Sequence, residues 1–257
     1  MTHENEYPEN VVAFLELIWG EGYMSPGGSG NVKKILRGLE TSDKRILDIG
    51  CGIGGPAFEM VKTHGATVVG IDIEAPLVAR ANKDAEDKGV SDRCIFKTVT
   101  PGPLPFEDES FDIVTSCGAI TQTTDKAGLL SEALRVLRLG GCLSAYEWMT
   151  SGDEFSEDMH YWFKLEGLTY EMETLDGYRE IFSSAGFVDI AAEDATDWYR
   201  EEARREYKMI QTDLYVQAEE LLGREDADHF LENWRAAVVV IDNGEMRQGY
   251  CRGRKPE

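Results

Sequence analysis

The stretch Ile46 to Gly55, ILDIGCGIGG, decides the fold. Ile46, Leu47 and Ile49 suit a strand buried on both faces of a parallel sheet, and Asp48 would stand near its carboxyl end. Gly50, Gly52 and Gly54 let the backbone turn tightly and approach a ligand closely before a helix opens. Strand, glycine turn and helix in that order predict a site for a nucleoside-bearing cofactor.

Glycine spacing alone does not name that cofactor. Gly50, Gly52 and Gly55 also satisfy the dinucleotide pattern, a frequent chance match in a chain with 26 glycines. Two acids favour S-adenosylmethionine over NAD. Asp48 brings a carboxylate to the strand tip, which suits a cationic methionyl ammonium better than a pyrophosphate, an anion that wants backbone N–H donors. Asp72 ends the next strand, VVGID at 68–72, where a carboxylate can accept both ribose hydroxyls. Taken alone, Asp72 also reads as a cap for the following helix.

Working outward, PAFEMVKTHG (56–65) and APLVARANKDAEDKG (75–89) read as crossover helices, with strands at CIFKTVT (94–100) and FDIVTSCG (111–118). The amphipathic helix at 125–141 is ended by Gly140 and Gly141, and CLSAYEW (142–148) is a fifth strand. Such alternation predicts an α/β fold with a doubly wound, mostly parallel, seven-stranded Rossmann-like sheet, whose ligands sit at the strand tips near the switch point. GEMRQGYCRGR (244–254) reads as an antiparallel last strand.

Upstream, a helix at 8–20, the loop EGYMSPGGSG (21–30) and a helix at 31–39 look like a lid, or alternatively an extension packed on the sheet. Residues 149–172 are too long for a turn and too aromatic for a solvated linker. A helix at 175–186 and a strand at 187–194 follow, then one long charged helix at 197–223 and another at about 226–241. The expected organisation is a helical lid at 1–40, a cofactor-binding core at 41–148, a cap at 149–243 interleaved with a core helix and strand (175–194), and a final core strand at 244–257.

Composition narrows the function. The net charge is −22, and residues 153–232 hold 23 acids against 7 bases. A surface of that sign repels phosphate backbones and anionic lipid, so neither nucleic acid nor membrane is expected as a partner. No apolar run reaches eighteen residues, and the first ten residues carry no basic or apolar leader features, so the expectation is a cytoplasmic protein, monomer or homodimer. The five cysteines lack metal-ligand spacing and read as reduced thiols, with no metal site.

With glycine loop, Asp72, lid and terminal strand in place, the chain resembles the class I S-adenosylmethionine-dependent methyltransferases over nearly its whole length. It is similar in particular to the phosphoethanolamine (phosphobase) N-methyltransferases, on the run Trp19, Gly20, Glu21, Gly22, Tyr23 and then Ser25, Pro26, Gly27, Gly28. The sarcosine and dimethylglycine N-methyltransferases share the core and a pattern like NWRAAVVVIDNGEMRQGY. The resemblance implies S-adenosyl-L-methionine as cofactor, with S-adenosyl-L-homocysteine as product. Asp48, Gly50 and Gly52 would surround its methionyl part, Asp72 and Ile73 would take the ribose side, Tyr23 and Ser25 would belong to the lid, and Cys117 would lie beside it. Thr100 stands where the family usually has an acid that binds the adenine amine.

The acceptor end departs from the family. Gly118 and Gln122 replace an Asp and a catalytic His, while Tyr7 matches the Tyr that partners that His. Tyr7 and Gln122 are therefore the expected catalytic pair, orienting an acceptor that arrives without a proton to lose. The family's phosphate-binding positions fall on Leu168, Trp148 and near Ala237, with one Tyr kept as Tyr170. A phosphate without cationic partners is costly to bury, so the reading sets phosphoethanolamine aside. Tyr146, Trp148, Trp162 and Tyr170 could form an aromatic cage for a methylated onium centre, or fill a cap core. His160, in the aromatic insertion, is the one histidine that could face the pocket, against the plainer reading of a packing residue; His3 and His229 read as exposed and His64 as a helix-end residue. The function expected is methylation of a small polar metabolite, at an amine nitrogen first, with thioether sulfur as runner-up and a catalytically silent binding protein as a further alternative.

Overall fold

The structure, a computed structural model, describes residues 7–167 and 170–257. Its centre is β1 (Arg45–Ile49), flanked by β2 (Thr67–Asp72) and β4 (Phe111–Cys117). With β3 (Cys94–Thr98), β5 (Leu137–Thr150), β6 (Val188–Asp194) and β7 (Met246–Arg254) they form a seven-stranded sheet in the order β3-β2-β1-β4-β5-β7-β6. The pairs from β3 to β5 are parallel, and β7 runs antiparallel between β5 and β6. Leu47 and Ile49 enter the core on one face with Val114 and Leu143, and Ile46 enters that on the other with Val68 and Ile113. Burial on both faces is what an apolar run in a parallel strand requires. The strand order reverses between β1 and β4, so their tips part and leave the switch-point crevice.

Around the sheet lie α1 (Glu9–Trp19), α2 (Gly28–Ile35), α3 (Gly55–His64), α4 (Ala75–Asp87), α5 (Lys126–Val136), α6 (Glu157–Glu166) and α7 (Leu175–Ala185). Then come α8 (Thr196–Thr212), α9 (Tyr215–Leu222) and α10 (Arg224–Asp242). Two apolar clusters hold the outer helices together. Met159 and Trp162 of α6, Tyr199 and Ala203 of α8, and Ala236 and Val240 of α10 make one. Phe14, Leu15 and Ile18 of α1 pack with Ile210, Ala218 and Ala227 in the other, so the N-terminal helix is tied to α8, α9 and α10.

Several boundaries differ from the sequence reading. The helix expected at 31–39 is α2, which opens at Gly28 within the expected loop and ends at Ile35. Gly140 and Gly141 do not end a helix; they lie inside β5, which begins at Leu137 in an extended conformation and pairs it with Phe111. The register then jumps to Ile113 with Cys142, so the glycines accommodate a bulge. β3 stops at Thr98, the last residue to pair with β2. The long charged helix is two helices: the N–H groups of Asp213 and Leu214 both reach the Met209 carbonyl, which breaks the ladder. The uniform density of charge along 197–223 gives no sign of that break. Within 149–172, α6 forms because the Ser156 hydroxyl accepts the Met159 N–H, Glu157 and Asp158 occupy the first turn, and Gly167 closes the end.

Candidate functional site

At the tip of β1 the Asp48 side chain lies between its register partners Gly70 and Thr115, only 2% exposed. Its Oδ1 accepts the Thr115 hydroxyl at 2.7 Å, while Oδ2 is buried without a partner. Burial pushes this carboxyl up to about 7, against the Thr115 hydrogen bond and with help from the Asp72 charge. A buried acceptor of that kind is the group a bound cation would satisfy.

The glycine turn is fixed by backbone contacts. Gly50 and Cys51 donate to the Ile71 carbonyl at 2.8 and 3.0 Å, and Gly52 N–H donates to Asp72 Oδ2 at 2.8 Å. The other Asp72 oxygen accepts the Glu74 N–H at 3.0 Å, a local turn that shapes the entry to α4, so this acid holds that entry as well as the glycine turn. Each oxygen keeps a second lone pair for a ligand. Burial raises the Asp72 pKa, opposed by these backbone donors. Gly50 has φ +70° and a Cβ there would stand 2.1 Å from that of Ala119. Beside Asp72, Ile73 leaves an apolar side chain 49% exposed, available to a nucleoside base. Cys117 ends β4 half-buried, its thiol pushed well up by burial and by the Asp48 and Glu147 charges.

The segment from Trp19 to Gly28 docks on this turn. Gly55 N–H donates to the Gly22 carbonyl at 3.0 Å, and any Cβ on Gly55 would meet that oxygen at 2.1 Å. Glu16 accepts the Gly22 N–H at 2.7 Å and pairs with Arg80 of α4, also at 2.7 Å. Tyr23 is half-buried, its hydroxyl pushed up to about 12 by burial and by nearby Glu59 and Cys117, and Ser25 lies half-buried in the same loop. Met24 lies against Gly52, a neighbour that carried no sequence signal.

Past β4, a short 3-10 turn over Ile120–Gln122 presents Gln122. Its side-chain amide donates to the Tyr7 hydroxyl at 3.4 Å, beside Tyr170. The turn is held from below by Glu147, fully buried in β5, which accepts the Ser116 hydroxyl at 2.7 Å and the Thr121 N–H at 3.0 Å. Burial lifts the Glu147 carboxyl to about 7, opposed by those donors. An acid inside the apolar strand CLSAYEW was the available signal for Glu147, and the sequence reading passed over it.

Of the expected cage, the structure brings three members together. Trp162 stacks on Tyr170 with ring centroids 5.5 Å apart, Trp148 lies 6.4 Å from Trp162, and Tyr199 meets Trp148 edge-on at 5.0 Å. Tyr199 was not foreseen, since a single Tyr in a charged helix looks like surface. Tyr146 is not part of the group: it is fully buried and packs on Tyr250 at 5.2 Å and Trp198 at 6.2 Å. His160 is exposed and meets Phe155, because the buried stripe of α6 runs through Met159 and Trp162. Thr100 is exposed two residues beyond β3. His3 and Leu168 lie outside the described residues.

Residues 47–145, which carry the strands β1 to β4, most of β5 and the glycine turn, match the methyltransferase domain family. The chain carries a class I S-adenosylmethionine-dependent methyltransferase domain. Beyond that domain, the chain is 29% identical over 256 residues to a phosphoethanolamine N-methyltransferase of Triticum aestivum, covering 97% of this chain and 49% of the relative. It is 26% identical to that of Plasmodium falciparum, covering 98% and 94%. The chain spans about half the length of the plant relatives it matches. Among solved structures, Haemonchus contortus phosphoethanolamine N-methyltransferase 2, in complex with phosphomonomethylethanolamine and S-adenosylhomocysteine, superposes with a TM-score of 0.90 at 25% identity, covering 99% of this chain and 59% of that one. A Galdieria sulphuraria protein assigned to the sarcosine dimethylglycine methyltransferases shares the fold, with a TM-score of 0.82 at 18% identity over 96% and 97% of the two chains.

Proposed function

We propose that the chain moves a methyl group from S-adenosylmethionine to a small polar metabolite, with an amine nitrogen as the first choice of acceptor. The observation that carries this is the unpartnered, buried Asp48 Oδ2 beside a glycine turn that Asp72 ties down. These residues fit the cofactor: Asp48 would hold the methionyl ammonium, Asp72 the ribose hydroxyls and Ile73 a face of the base. When bound, the cofactor supplies an electrophilic methyl on a cationic sulfur.

Tyr7 and Gln122 would orient the acceptor at the neighbouring strand tip, and the docked segment around Gly22 and Tyr23 would exclude water from it. Neither Tyr7 nor Gln122 is a strong base, so an acceptor with a free lone pair and no proton to lose suits the site. A tertiary amine meets that condition. The amine meets it only as its free base, while a thioether that becomes a sulfonium carries no proton at neutral pH, which keeps S-methylation as the second reading. The names of the relatives bring phosphoethanolamine back among the acceptors to be tried, although the sequence reading had set it aside.

Transfer of labelled methyl should be followed over sarcosine, dimethylglycine, phosphoethanolamine, a dialkyl thioether, an alcohol and an enolisable carbon acid, with calorimetric titration of S-adenosylhomocysteine alongside. Transfer to an amine is expected. Transfer only to hydroxyl or carbon acceptors would remove the onium argument, and product binding without transfer to any acceptor would support a silent binding protein.

A further inference from the structure

The cap side of the acceptor end contains a carboxylate with no cation. Glu166, the last residue of α6, accepts the Tyr170 hydroxyl on one oxygen at 2.9 Å and the Asn233 side-chain amide on the other at 2.7 Å. Both donors are neutral, and among the described residues no Lys, Arg or His pairs with it. Asn233 is itself held by the Trp162 indole N–H, which donates to its Oδ1 at 3.1 Å. That bond turns the amide nitrogen toward Glu166 and fixes the carboxylate in place. Each carboxylate oxygen retains a second lone pair.

The surroundings suit one kind of ligand. Buried Trp162 and half-buried Tyr170 stack beside the carboxylate, and half-buried Trp148 and buried Tyr199 continue the aromatic cluster. Beside Tyr170, the Glu171 N–H donates to the Thr121 carbonyl at 2.9 Å, so the segment that bonds the carboxylate is seated on the turn that carries Gln122, and Gln122 reaches Tyr7. Fixed negative charge beside aromatic faces attracts an ammonium or sulfonium through both charge and ring quadrupole. A phosphate there would face a like charge with no cation to offset it.

The reaction itself moves positive charge in this direction. A lone pair on the acceptor forms a bond to the methyl carbon, the carbon–sulfur bond breaks with its electron pair left on sulfur, and the cation passes from sulfur to acceptor. A carboxylate already oriented on the acceptor side favours that redistribution. We propose that Glu166 is the specificity-determining residue of the acceptor end, selecting small molecules that carry or become an onium cation and rejecting those that carry a phosphate. The proposal rests on the methyl-transfer reading above and names its substrate class.

Choline and phosphocholine differ only by the phosphate and serve as the probes, titrated into the full chain saturated with S-adenosylhomocysteine. Choline is expected to bind at least about tenfold more tightly, a preference of about 1.4 kcal/mol. E166Q should shrink the preference below about threefold, while E166D, which keeps the charge, should retain it. Absence of choline binding, phosphocholine binding as tightly in the parent chain, or a preference unmoved by E166Q each overturns the proposal. The parent-chain comparison decides even where E166Q does not fold. Failure of S-adenosylhomocysteine itself to bind is a different result, one that removes the methyl-transfer reading.

Discussion

The two ends of the site are built differently. At the donor end, Asp48, the glycine turn and Asp72 lie within one strand-helix-strand unit, and most of their contacts run through backbone: Gly50 and Cys51 to the Ile71 carbonyl, Gly52 and Glu74 to the Asp72 carboxylate. At the acceptor end, Tyr7, Gln122, Trp148, Trp162, Tyr170 and Asn233 come from six separate parts of the chain and meet through side chains. Backbone-built sites tolerate almost no added volume, because nothing in them can rotate away. Side-chain-built sites can be retuned one residue at a time while the fold persists.

The largest effect expected from that contrast is at Gly50. A Cβ there combines a positive φ of +70° with a 2.1 Å approach to Ala119, and both strands involved are central to the sheet. Gly50→Ala should reduce S-adenosylhomocysteine affinity at least about a hundredfold, roughly 2.7 kcal/mol, measured by calorimetry with circular dichroism to follow folding. A folded Gly50→Ala chain that binds the product as tightly as the parent would break the distinction between the two ends.

Tyr7 offers the converse measurement. Its hydroxyl accepts from Gln122 at a long 3.4 Å, a neutral contact that contributes on the order of 1 kcal/mol. Tyr7→Phe is therefore expected to lower kcat about fivefold with an amine acceptor and to leave the affinity for S-adenosylhomocysteine unchanged. Equal losses in both would mean that Tyr7 supports the donor end as well, and the division would need to be redrawn.

The same contrast explains what could be read from the sequence. ILDIGCGIGG and the acid ending VVGID are local patterns with local consequences, so the strand-turn-helix-strand unit of the donor end follows from about thirty residues. Gly140 and Gly141 misled because a glycine pair after an amphipathic helix signals a stop as readily as a bulge, and only the pairing of Leu137 with Phe111 separates the two. At the acceptor end the legible feature was an abundance of aromatics; which of them meet depends on helix packing. Tyr146 and Trp148 lie on the same face of β5, yet Tyr146 packs under Trp198 and Tyr250 while Trp148 meets Tyr199 and Trp162. Glu166 and Asn233 stand 67 residues apart and carry no pattern that pairs them.

The smallest effect sharpens how the two ends are joined. Glu206 of α8 is fully buried and accepts the indole N–H of Trp19 at 2.8 Å and that of Trp234 at 3.2 Å, linking the N-terminal helix to α8 and α10. Burial lifts its carboxyl to about 7, opposed by the two indole donors, with Glu202 adding to the rise and Arg205 reducing it. A folded-state pKa raised above the usual carboxylate value means that protonation favours the folded chain. The stability contributed is complete below about pH 4.5 and is lost as pH rises through about 7. Asp48 and Glu147 act in the same direction over the same window, and surface charge adds its own pH dependence, so the informative quantity is a difference between two chains. From pH 5 to pH 8 the parent should lose Tm, and Glu206→Gln should lose a few °C less, since about 1 kcal/mol corresponds to about 2–4 °C at this size. S-adenosylhomocysteine, by giving Asp48 a cationic partner, should flatten the parent's decline further without altering the Glu206→Gln difference. Identical slopes for parent and variant would show that Glu206 stays ionised throughout and that its link to Trp19 is insensitive to pH.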